Sequence, residues 1–585
     1  MNFSSFHSRN LCTAPTTRSS TMTGRINHNT NASTSKPSDT TRIFRITMLA
    51  IAVLALAAVP IANAQFNVLY NFGTHSGDPE NPSNPGIIAQ GRDGNMYSTT
   101  VTGGTNGLGS VFKITPAGNV TVIYNCDETH GYDLSSGLTL GTDGNFYGAA
   151  FLGGTAGFGT IFKITPTGTL TALYNFTGGK DGLYPSAPPI QGTDGNWYGT
   201  TQGDFSSYGT LYKLTPSGKL TVLYTFVGTQ GSDQPRTPLV QGTDGNFYGT
   251  TALGGKNNQG MIFKITPSGK LTVLYNFDST HGTTSFSPLI QGSDGDFYGT
   301  TISGGSAGAG IAFKITSSGK LTVLHNFSFS SGPAVPYAGL LGATNGLFYG
   351  TTYQGGTMGD GTLFSMSAKG KVSDLHDFDI TTGLHPEANL LQHTNGILYG
   401  DTYEGGTSVP ACGNSGCGVF YSFSAGMGPF VSLVTTSGKV GNTIEILGQG
   451  FKGTTAVSFN GTAAKFTVVS DTYMTAVVPP GATTGAVTVK TPGGTLTSNK
   501  LFRVTPVILS FSPTSGKVGT SVTIKGNSLT QTKAVTFGGV KATTFTVNSD
   551  TEVVATVPAG AKTGKIGITT AGGTANSSGI FTVTK

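Results

Sequence analysis

One eight-residue segment recurs seven times along the chain and constrains the fold more than any other feature. Its fullest form is Asp244-Gly-Asn-Phe-Tyr-Gly-Thr-Thr251, and its tyrosine returns at intervals of 50 or 51 residues. A fixed period of this length is typical of repeat architectures, in which each copy is one supersecondary unit that packs on its neighbours. The seven motif tyrosines are Tyr97, Tyr147, Tyr198, Tyr248, Tyr298, Tyr349 and Tyr399.

One copy, residues 238–277, predicts four antiparallel strands. The pair Asp244-Gly245 is a strong hairpin signal, and Pro267-Ser-Gly269 is typical of a second tight turn. Four strands in about 50 residues form one blade of a β-propeller, whereas a β-solenoid has a shorter period and a sandwich does not repeat seven times. The predicted strands are Pro238–Gln241, Phe247–Thr251, Met261–Thr266 and Leu271–Phe277.

The ends of the repeat array are offset from each other. The fourth-strand motif first occurs at Val68–Phe72, before any Asp-Gly hairpin, and the last unit (387–424) has no fourth strand. We therefore expect Phe66–Phe72 to complete the last blade, which removes a free sheet edge. The sequence thus predicts an all-β protein with a seven-bladed β-propeller of four-stranded blades, closed by its N-terminal strand.

A second repeat follows the first. The segment Ser437-Gly-Lys-Val-Gly441 returns as Ser515-Gly-Lys-Val-Gly519, and each unit has about seven short strands with frequent turns. Two immunoglobulin-like β-sandwiches are therefore expected. The predicted divisions of the chain are an N-terminal extension with a signal peptide (1–64), the propeller (65–426), and two sandwich domains (427–506 and 507–585).

The N-terminal region has the pattern of an export signal. Arg42 and Arg45 precede an apolar run, Met48–Ala62, which ends in Ala62-Asn63-Ala64. This predicts a signal peptide cleaved after Ala64. The run is shorter than the roughly 20 residues that span a bilayer, so we expect a secreted or outer-surface protein without a transmembrane span after cleavage. An uncleaved anchor, or initiation at Met22 or Met48, stays open as an alternative.

The charge distribution argues against a nucleic-acid partner. The formal net charge is +6, but residues 1–64 carry six basic side chains and one acidic one, so the rest of the chain is close to neutral. No basic patch remains to bind phosphates.

Cys412 and Cys417 share a glycine-rich loop, and in an oxidising compartment this spacing predicts a local disulfide.

Both repeats resemble known families. The motifs of residues 244–251, Gly254-Gly255 and Phe263-Lys-Ile-Thr-Pro-Ser-Gly269 resemble the Gloeobacter/Verrucomicrobia (GloVer) repeat over roughly residues 66–424. Segments of the second sandwich resemble the IPT/TIG immunoglobulin-like family, and the first sandwich departs from the pattern at its start. The resemblance implies exported proteins with no settled activity. The IPT/TIG segments are Ser512–Gly516, Val522–Gly526, Val535–Gly539 and Val554–Pro558.

The candidate site residues are side chains that recur at one position of the repeat or depart from it. Seven positions before the motif tyrosine, five copies carry glutamine, and this ring of amides either binds a sugar or bonds backbone between neighbouring blades. Three further binding candidates, Trp197, Asp204 and Glu404, are those that depart from the repeat. His75, His130 and His281 recur in similar loops and are candidate metal ligands. The binding candidates are Gln90, Gln191, Gln241, Gln291, Gln392, Trp197, Asp204 and Glu404.

The function expected from these features is binding. We expect an exported, non-enzymatic surface or secreted adhesion protein whose partner is a glycan, another envelope component or a surface protein. No catalytic residue and no cofactor is assigned, and a monomer is expected. One alternative is an extracellular hydrolase or lyase acting on polysaccharide, for which Asp401 and Glu404 are a conceivable acid–base pair. The other is a purely structural envelope component.

Overall fold

The computed structural model describes residues 65–82, 86–203, 208–227, 234–330 and 332–585. These residues form strands, turns and loops and contain no helix, so the described protein is all-β. No helix in this part of the chain has the length and apolar character needed to cross a membrane. The predicted signal segment, its cleavage after Ala64 and the candidate Asp204 lie outside the described residues.

Between Gln65 and Ser424 the described residues form seven four-stranded antiparallel sheets. Four of them use consecutive strands, and two skip one short strand that lies in a loop. Sheet 7 combines the last three strands of this region with the first described strand. Sheet 1 contains β3 (Ala89–Gln90), β4 (Met96–Thr100), β6 (Ser110–Ile114) and β7 (Val120–Asn125). Sheet 2 contains β8 (Thr139–Leu140), β9 (Phe146–Ala150), β10 (Thr160–Ile164) and β11 (Leu170–Asn175). Sheet 3 contains β12 (Ile190–Gln191), β13 (Trp197–Gly203), β14 (Tyr208–Leu214) and β15 (Leu220–Thr225).

The remaining sheets follow the same order of a short first strand and three longer ones. Sheet 4 contains β16 (Val240–Gln241), β17 (Phe247–Thr250), β18 (Met261–Ile265) and β19 (Leu271–Asn276). Sheet 5 contains β20 (Ile290–Gln291), β21 (Phe297–Thr301), β22 (Ile311–Ile315) and β23 (Leu321–Asn326). Sheet 6 contains β25 (Leu341–Gly342), β26 (Phe348–Thr352), β28 (Thr362–Met366) and β29 (Val372–Asp377). Sheet 7 contains β30 (Leu391–Gln392), β31 (Leu398–Asp401), β32 (Val419–Ser424) and β1 (Gln65–Asn71).

Two pairs of short strands lie in the loops beside these sheets. They are β2 (Pro79–Glu80) with β5 (Thr102–Gly103), and β24 (Pro333–Ala334) with β27 (Gln354–Gly355). Both are antiparallel. They extend the backbone hydrogen bonding into the loops that follow the second strands of sheets 1 and 6.

The repeated aromatic pair of the motif packs each sheet on the next. The motif tyrosine of one sheet stacks on the aromatic ring that precedes the motif tyrosine of the following sheet, as in Tyr248 on Phe297 at 3.9 Å between centroids. At the ends of the array aliphatic side chains replace the second ring, and Tyr399 of sheet 7 shares one buried core with Met96 of sheet 1. Burial of these rings explains why the sequence keeps two adjacent aromatic residues in the repeat.

The first strand of the protein pairs with the last strand of the repeat region, as the offset of the motifs predicts. In sheet 7, β1 runs antiparallel to β32, with Gln65 opposite Ser424 and Asn71 opposite Val419. Ile87, which precedes sheet 1, forms backbone bridges both to Gly137 before sheet 2 and to Asn389 before sheet 7. The two ends of the repeat region are therefore joined by backbone hydrogen bonds.

Residues 432–583 form two further modules of packed sheets. The first module contains β33 (Ser432–Leu433), β34 (Ser437–Gly438), β35 (Thr443–Leu447), β36 (Ala456–Phe459), β37 (Thr462–Ala463), β38 (Phe466–Val468), β39 (Tyr473–Val477), β40 (Val487–Thr491), β41 (Gly494–Thr497) and β42 (Arg503–Val504). The second contains β43 (Val507–Ser512), β44 (Ser515–Gly516), β45 (Ser521–Asn527), β46 (Thr532–Phe537), β47 (Val540–Lys541), β48 (Phe545–Ser549), β49 (Glu552–Thr556), β50 (Gly564–Thr570) and β51 (Gly573–Val583). Each module encloses its own apolar core between two main sheets.

Candidate functional site

The seven repeat sheets have two chemically different ends. At the hairpin end lie the tight turns that join the first to the second strand and the third to the fourth. At the loop end lie the glycine-rich loops and the connections that run from one sheet to the next. Because surface loops on a rigid scaffold commonly carry function, a site is expected at the loop end.

Among its described residues, each connection at the loop end holds one non-glycine residue in the left-handed backbone region, with φ between 40° and 60°. At His385 this conformation is fixed on both sides, because its N–H donates to the Asp360 carbonyl and its own carbonyl accepts from Tyr403 N–H. Such strained positions cluster at functional sites. The seven equivalent residues are Asn81, Asp133, Tyr184, Gln234, Thr284, Val335 and His385.

Two residues beyond these positions the side chains differ from sheet to sheet. They are serines at 135 and 186, but Arg236, Phe286, Tyr337 and Glu387 in the four connections that follow. The backbone frame is thus repeated while the chemistry at its loop end changes. An asymmetric site can arise in this way from a symmetric scaffold.

Six side chains at the loop end touch in sequence across four neighbouring sheets and form what we call the loop-end stripe. Three of them, Arg236, Phe286 and Tyr337, are the variable residues just described. The Arg236 guanidinium carbon lies 5.4 Å from the centroid of the Phe286 ring, which lies 5.4 Å from that of Tyr337. Tyr337 is 5.0 Å from Tyr353, and Tyr353 stacks on His385 at 4.3 Å. His385 Nδ1 then approaches a Glu404 carboxylate oxygen at 3.6 Å. The stripe consists of Arg236, Phe286, Tyr337, Tyr353, His385 and Glu404, all partly exposed.

Arg236 carries the one positive charge that is permanent in this stripe. Desolvation by its surroundings lowers the pKa of the guanidinium, and the nearby Tyr337 phenol opposes this shift. Its Nε is buried and has no hydrogen-bond partner within the described parts of the chain. The cation is therefore only weakly compensated by the protein.

Acidic groups surround the opposite end of the stripe. Asp401 is 1% exposed, and burial, reinforced by the charge of Glu387, raises the pKa of its carboxyl to about 8. Burial and then Glu387 also raise the pKa of Tyr353 to about 12. Burial alone raises the pKa of Asp133 to about 6. Glu387 is thus the charge that most influences this end of the site.

The glutamine ring predicted from the sequence forms cross-links between sheets. Gln241 accepts a hydrogen bond from Thr193 N–H of the preceding sheet at 2.9 Å and donates to Gly245 O at 3.1 Å. Gln191 and Gln291 bond Thr142 and Thr243 in the same manner. Because the amide oxygen and nitrogen are both engaged, the backbone-bonding interpretation accounts for these residues.

Sheets 7 and 1 are linked by the same device. Gln90 accepts from Thr394 N–H at 3.0 Å and donates to the Thr394 hydroxyl at 2.7 Å. Gln392 makes the equivalent pair of bonds with Thr344, at 3.0 and 2.8 Å. The five glutamines thus connect the sheets rather than present free amides.

The other three binding candidates have different positions. Trp197 is 1% exposed and stacks on Tyr147 at 3.7 Å, so a ligand cannot reach it, and its assignment as a binding residue is wrong. It occupies the motif position whose apolar side chain packs against the motif tyrosine of the preceding sheet. Glu404 does belong to the loop-end stripe. Asp204 lies outside the described residues.

The two carboxyl groups of the conceivable acid–base pair have separate environments, because Asp401 lies beneath the surface and Glu404 pairs with His385.

Contacts within their own turns explain why the three histidines that were candidate metal ligands recur. His75, His130 and His281 each place Nδ1 near the aspartate of their own turn, for example His130 with Asp127 at 2.9 Å. In the described residues the only group spaced like metal ligands is Glu80 with Cys412 and Cys417. Those two cysteines form a disulfide with Cα atoms 5.3 Å apart, which leaves no thiolate for a metal.

The first C-terminal module packs on the hairpin end. The Arg92 guanidinium bonds the Glu445 carboxylate and lies 4.7 Å from the centroid of the Tyr473 ring. Arg503 donates to Thr243 O at 2.8 Å, and Gln449 donates to the Thr394 hydroxyl at 2.9 Å. These contacts reach the first turns of sheets 1, 4 and 7. The module thus occupies the hairpin end, and the stripe lies at the other end.

Sequence reasoning missed most of the stripe. Three of its members, Arg236, Phe286 and Tyr337, each lie twelve residues before the motif tyrosine of their repeat, as does Glu387 beside the stripe. Aligned on that tyrosine, this position varies in size and charge while the residues around it are repeated. That variability is the signal that identifies the site.

Sequence comparison agrees with the repeat organisation. A sequence model of the Gloeobacter/Verrucomicrobia repeat matches residues 82–293, 186–409 and 234–468, which together span more than half of the chain. The protein belongs to the Gloeobacter/Verrucomicrobia repeat family. The model of the IPT/TIG domain matches residues 506–583, so the second module is an IPT/TIG domain. A search of the curated proteins finds no significant match.

Solved structures resemble the protein only weakly. A fungal alcohol oxidase of the AA5 family in complex with copper is 15% identical and has a TM-score of 0.44, covering 76% of this chain and 99% of its own. A gluconolactonase from Xanthomonas campestris is 10% identical with a TM-score of 0.33, covering 60% and 99%. The surface glycan-binding protein PbSGBP-B from Prevotella bryantii is 21% identical with a TM-score of 0.20, covering 26% of this chain and 38% of its own. Likenesses this weak carry no information about the function of this chain.

Proposed function

We propose that the protein is an exported, non-enzymatic glycan-binding protein, secreted or held at the outer cell surface, and that the loop-end stripe binds the glycan. The observation that carries this proposal is the contiguous row of partly exposed aromatic rings, from Phe286 through Tyr337 to Tyr353, with polar groups at both ends. Aromatic rings offer flat apolar faces to the C–H faces of sugars, and charged groups beside them bond the hydroxyls.

The proposal includes a closed seven-bladed β-propeller at residues 65–426. It is supported by the seven sheets in order, by the β1–β32 pairing and by the shared core of Met96 and Tyr399. Closure of this kind removes the exposed sheet edges at which chains aggregate. The two sandwich domains, 427–506 and 507–585, then act as spacers that present the propeller, and the protein works as a monomer.

Export is supported by two independent features. The apolar run before Ala64 has the composition of a signal peptide. The Cys412–Cys417 disulfide is stable in an oxidising compartment and rare in the cytosol. Both fit a protein that meets glycans outside the cell.

Binding is favoured over hydrolysis because the acidic groups are poorly placed for chemistry. Glu404 pairs with His385, and Asp401 lies buried beneath the surface. An acid–base mechanism needs two carboxyl groups on either side of the reacting bond. Product formation from a bound polysaccharide is the result that would establish the enzymatic alternative instead.

The test is a glycan array probed with the full-length protein and with a variant that combines Tyr337→Ala and Tyr353→Ala. Loss of two stacking rings is expected to weaken binding at least tenfold, roughly 1.4 kcal/mol or more. The matched control is Phe329→Ala, which removes a 62% exposed aromatic ring from a neighbouring connection and leaves binding unchanged. Equal binding by the double variant, or no binding to any glycan, contradicts the proposal.

A further inference from the structure

We infer that the Arg236 end of the stripe is an anion subsite, and that the glycan recognised is an acidic one whose sugar carboxylate bonds the Arg236 guanidinium. This inference rests on the proposed function and names the class of ligand. It starts from the imbalance of charge along the stripe.

Among the described residues, the charge of Arg236 is left without an ionic partner. Within the described residues no carboxylate forms an ion pair with it, and its Nε is buried without a partner. Its ring contact is with Phe286, which supplies no anionic oxygen. A desolvated guanidinium in this state gains most from a planar carboxylate, which it can bind with two parallel hydrogen bonds.

The acidic groups at the other end of the stripe give no reason to expect a cationic ligand. A Glu404 carboxylate oxygen already lies 3.6 Å from His385 Nδ1, and the two form an ion pair when the imidazole is protonated. The pKa of Asp401 is raised to about 8, first by burial and then by Glu387, so its carboxyl is mostly protonated at pH 7. Glu387 itself makes further interactions with the protein. Among the described residues of the stripe, the permanent charge without an ionic partner is therefore the positive charge of Arg236.

The other repeats show that the scaffold does not require this arginine. The equivalent positions, twelve residues before the motif tyrosine, hold Ser135 in the second repeat and Ser186 in the third. Both sit in the same backbone frame, beyond left-handed residues Asp133 and Tyr184. A small side chain is thus sufficient for the fold, and a partly buried, unpaired arginine has a cost that a ligand would offset.

The arrangement also explains why the anion is expected on a sugar. Phe286 and Tyr337 lie directly beside the guanidinium, at successive centroid distances of 5.4 Å. A uronic-acid residue combines an apolar ring face with a carboxylate at its edge. It therefore matches neighbouring aromatic and guanidinium groups better than a free inorganic anion does.

The experiment measures binding of the full-length protein to polygalacturonate, to the same polymer after chemical reduction of its carboxyl groups, and to a sulfated neutral polysaccharide. The wild-type protein is expected to bind polygalacturonate at least about tenfold more tightly than the reduced polymer. Arg236→Gln is expected to abolish this preference and to keep the weaker binding of the reduced polymer. Arg236→Lys, which keeps the charge without the planar fork, is expected to retain part of the preference.

The matched control is Lys180→Gln, which removes an exposed cation from another connection at the loop end. An unchanged preference in this control and a lost preference in Arg236→Gln support the inference, provided both variants keep the thermal unfolding profile of the wild type. If Arg236→Gln unfolds, the comparison of wild type with Arg236→Lys decides.

Three results overturn the inference, and they differ from failure of the proposed function. Equal binding of native and reduced polygalacturonate refutes the carboxylate subsite while glycan binding stands. Equal loss of preference in the Lys180→Gln control shows general attraction of charge. Tighter binding of the sulfated polymer that also depends on Arg236 shows a subsite without preference for carboxylates. Binding of no polysaccharide at all refutes the proposed function itself.

Discussion

Replacement of Asp401 by asparagine is expected to stabilise the protein, and to do so only above acidic pH. Asp401 stands where five other repeats have threonine, as in Thr250 of the fourth. In four of those repeats the threonine hydroxyl reaches a carbonyl of the next connection, for example Thr300 to Ala338 O at 3.2 Å. Neither carboxylate oxygen of Asp401 has a hydrogen-bond partner among the described residues. The fold therefore holds a buried carboxyl group that it does not satisfy.

The size of the effect follows from the shifted pKa. Burial, with a further contribution from Glu387, raises the pKa of Asp401 from 3.8 to about 8. Between these values the folded state holds a proton that the unfolded state has lost, so the free energy of unfolding falls as pH rises through this window. At pH 7 the penalty is on the order of 4 kcal/mol, and below about pH 4 it is absent. Asparagine has no charge to bury and removes the penalty.

The measurement is urea unfolding of wild type and Asp401→Asn at a series of pH values from 4 to 8, with Glu128→Gln as a control that neutralises an exposed carboxylate. The variant is expected to gain stability progressively above pH 4 and to gain none at pH 4. A gain that is the same at both ends of the series, or no gain at pH 8, refutes the account of Asp401 as a buried, unsatisfied acid.

Three further changes test the contacts that hold the fold together. Gln241→Ala removes hydrogen bonds to Thr193 and Gly245, and the free energy of unfolding measured in denaturant is expected to fall by about 1–3 kcal/mol. An unchanged denaturation midpoint would show that the amide does not link the sheets. Arg92→Ala removes the ion-pair partner of Glu445 at the hairpin end, so limited proteolysis is expected to release the first C-terminal module faster than in the wild type. Equal cleavage rates would contradict a role of this pair in holding the module. The Cys412–Cys417 disulfide closes a short loop, and its reduction is expected to lower the free energy of unfolding by about 2 kcal/mol. This appears as a lower melting temperature in reducing buffer. An unchanged melting temperature would show that other contacts already constrain the loop.

The sheet organisation could be predicted from sequence because it depends on local and periodic signals. The Asp244-Gly245 turn and the paired aromatic residues mark the same two strands in every repeat. The displaced copy at Val68–Phe72 indicated which strand pairs with the end of the repeat region, and β1 does pair with β32. These features do not require knowledge of which loops lie near each other.

The site was harder to predict because its residues come from different repeats. Contacts such as Tyr353 with His385 join the loop after one second strand to the connection that precedes the next sheet. Their approach depends on left-handed backbone at residues such as Val335 and His385, which side-chain identity does not reveal. Trp197 was misassigned for the opposite reason. Its ring differs from the repeat only in size and occupies a position that is aromatic or aliphatic and buried in every copy.

The most direct test of glycan binding at the loop-end stripe is a crystal structure of the full-length protein soaked with the best oligosaccharide from the array. The account predicts sugar density against Phe286, Tyr337 and Tyr353, with a polar group of the ligand within hydrogen-bond distance of Arg236. Density confined to the C-terminal modules, or to the hairpin end beside Gln241 and Gln291, would contradict it.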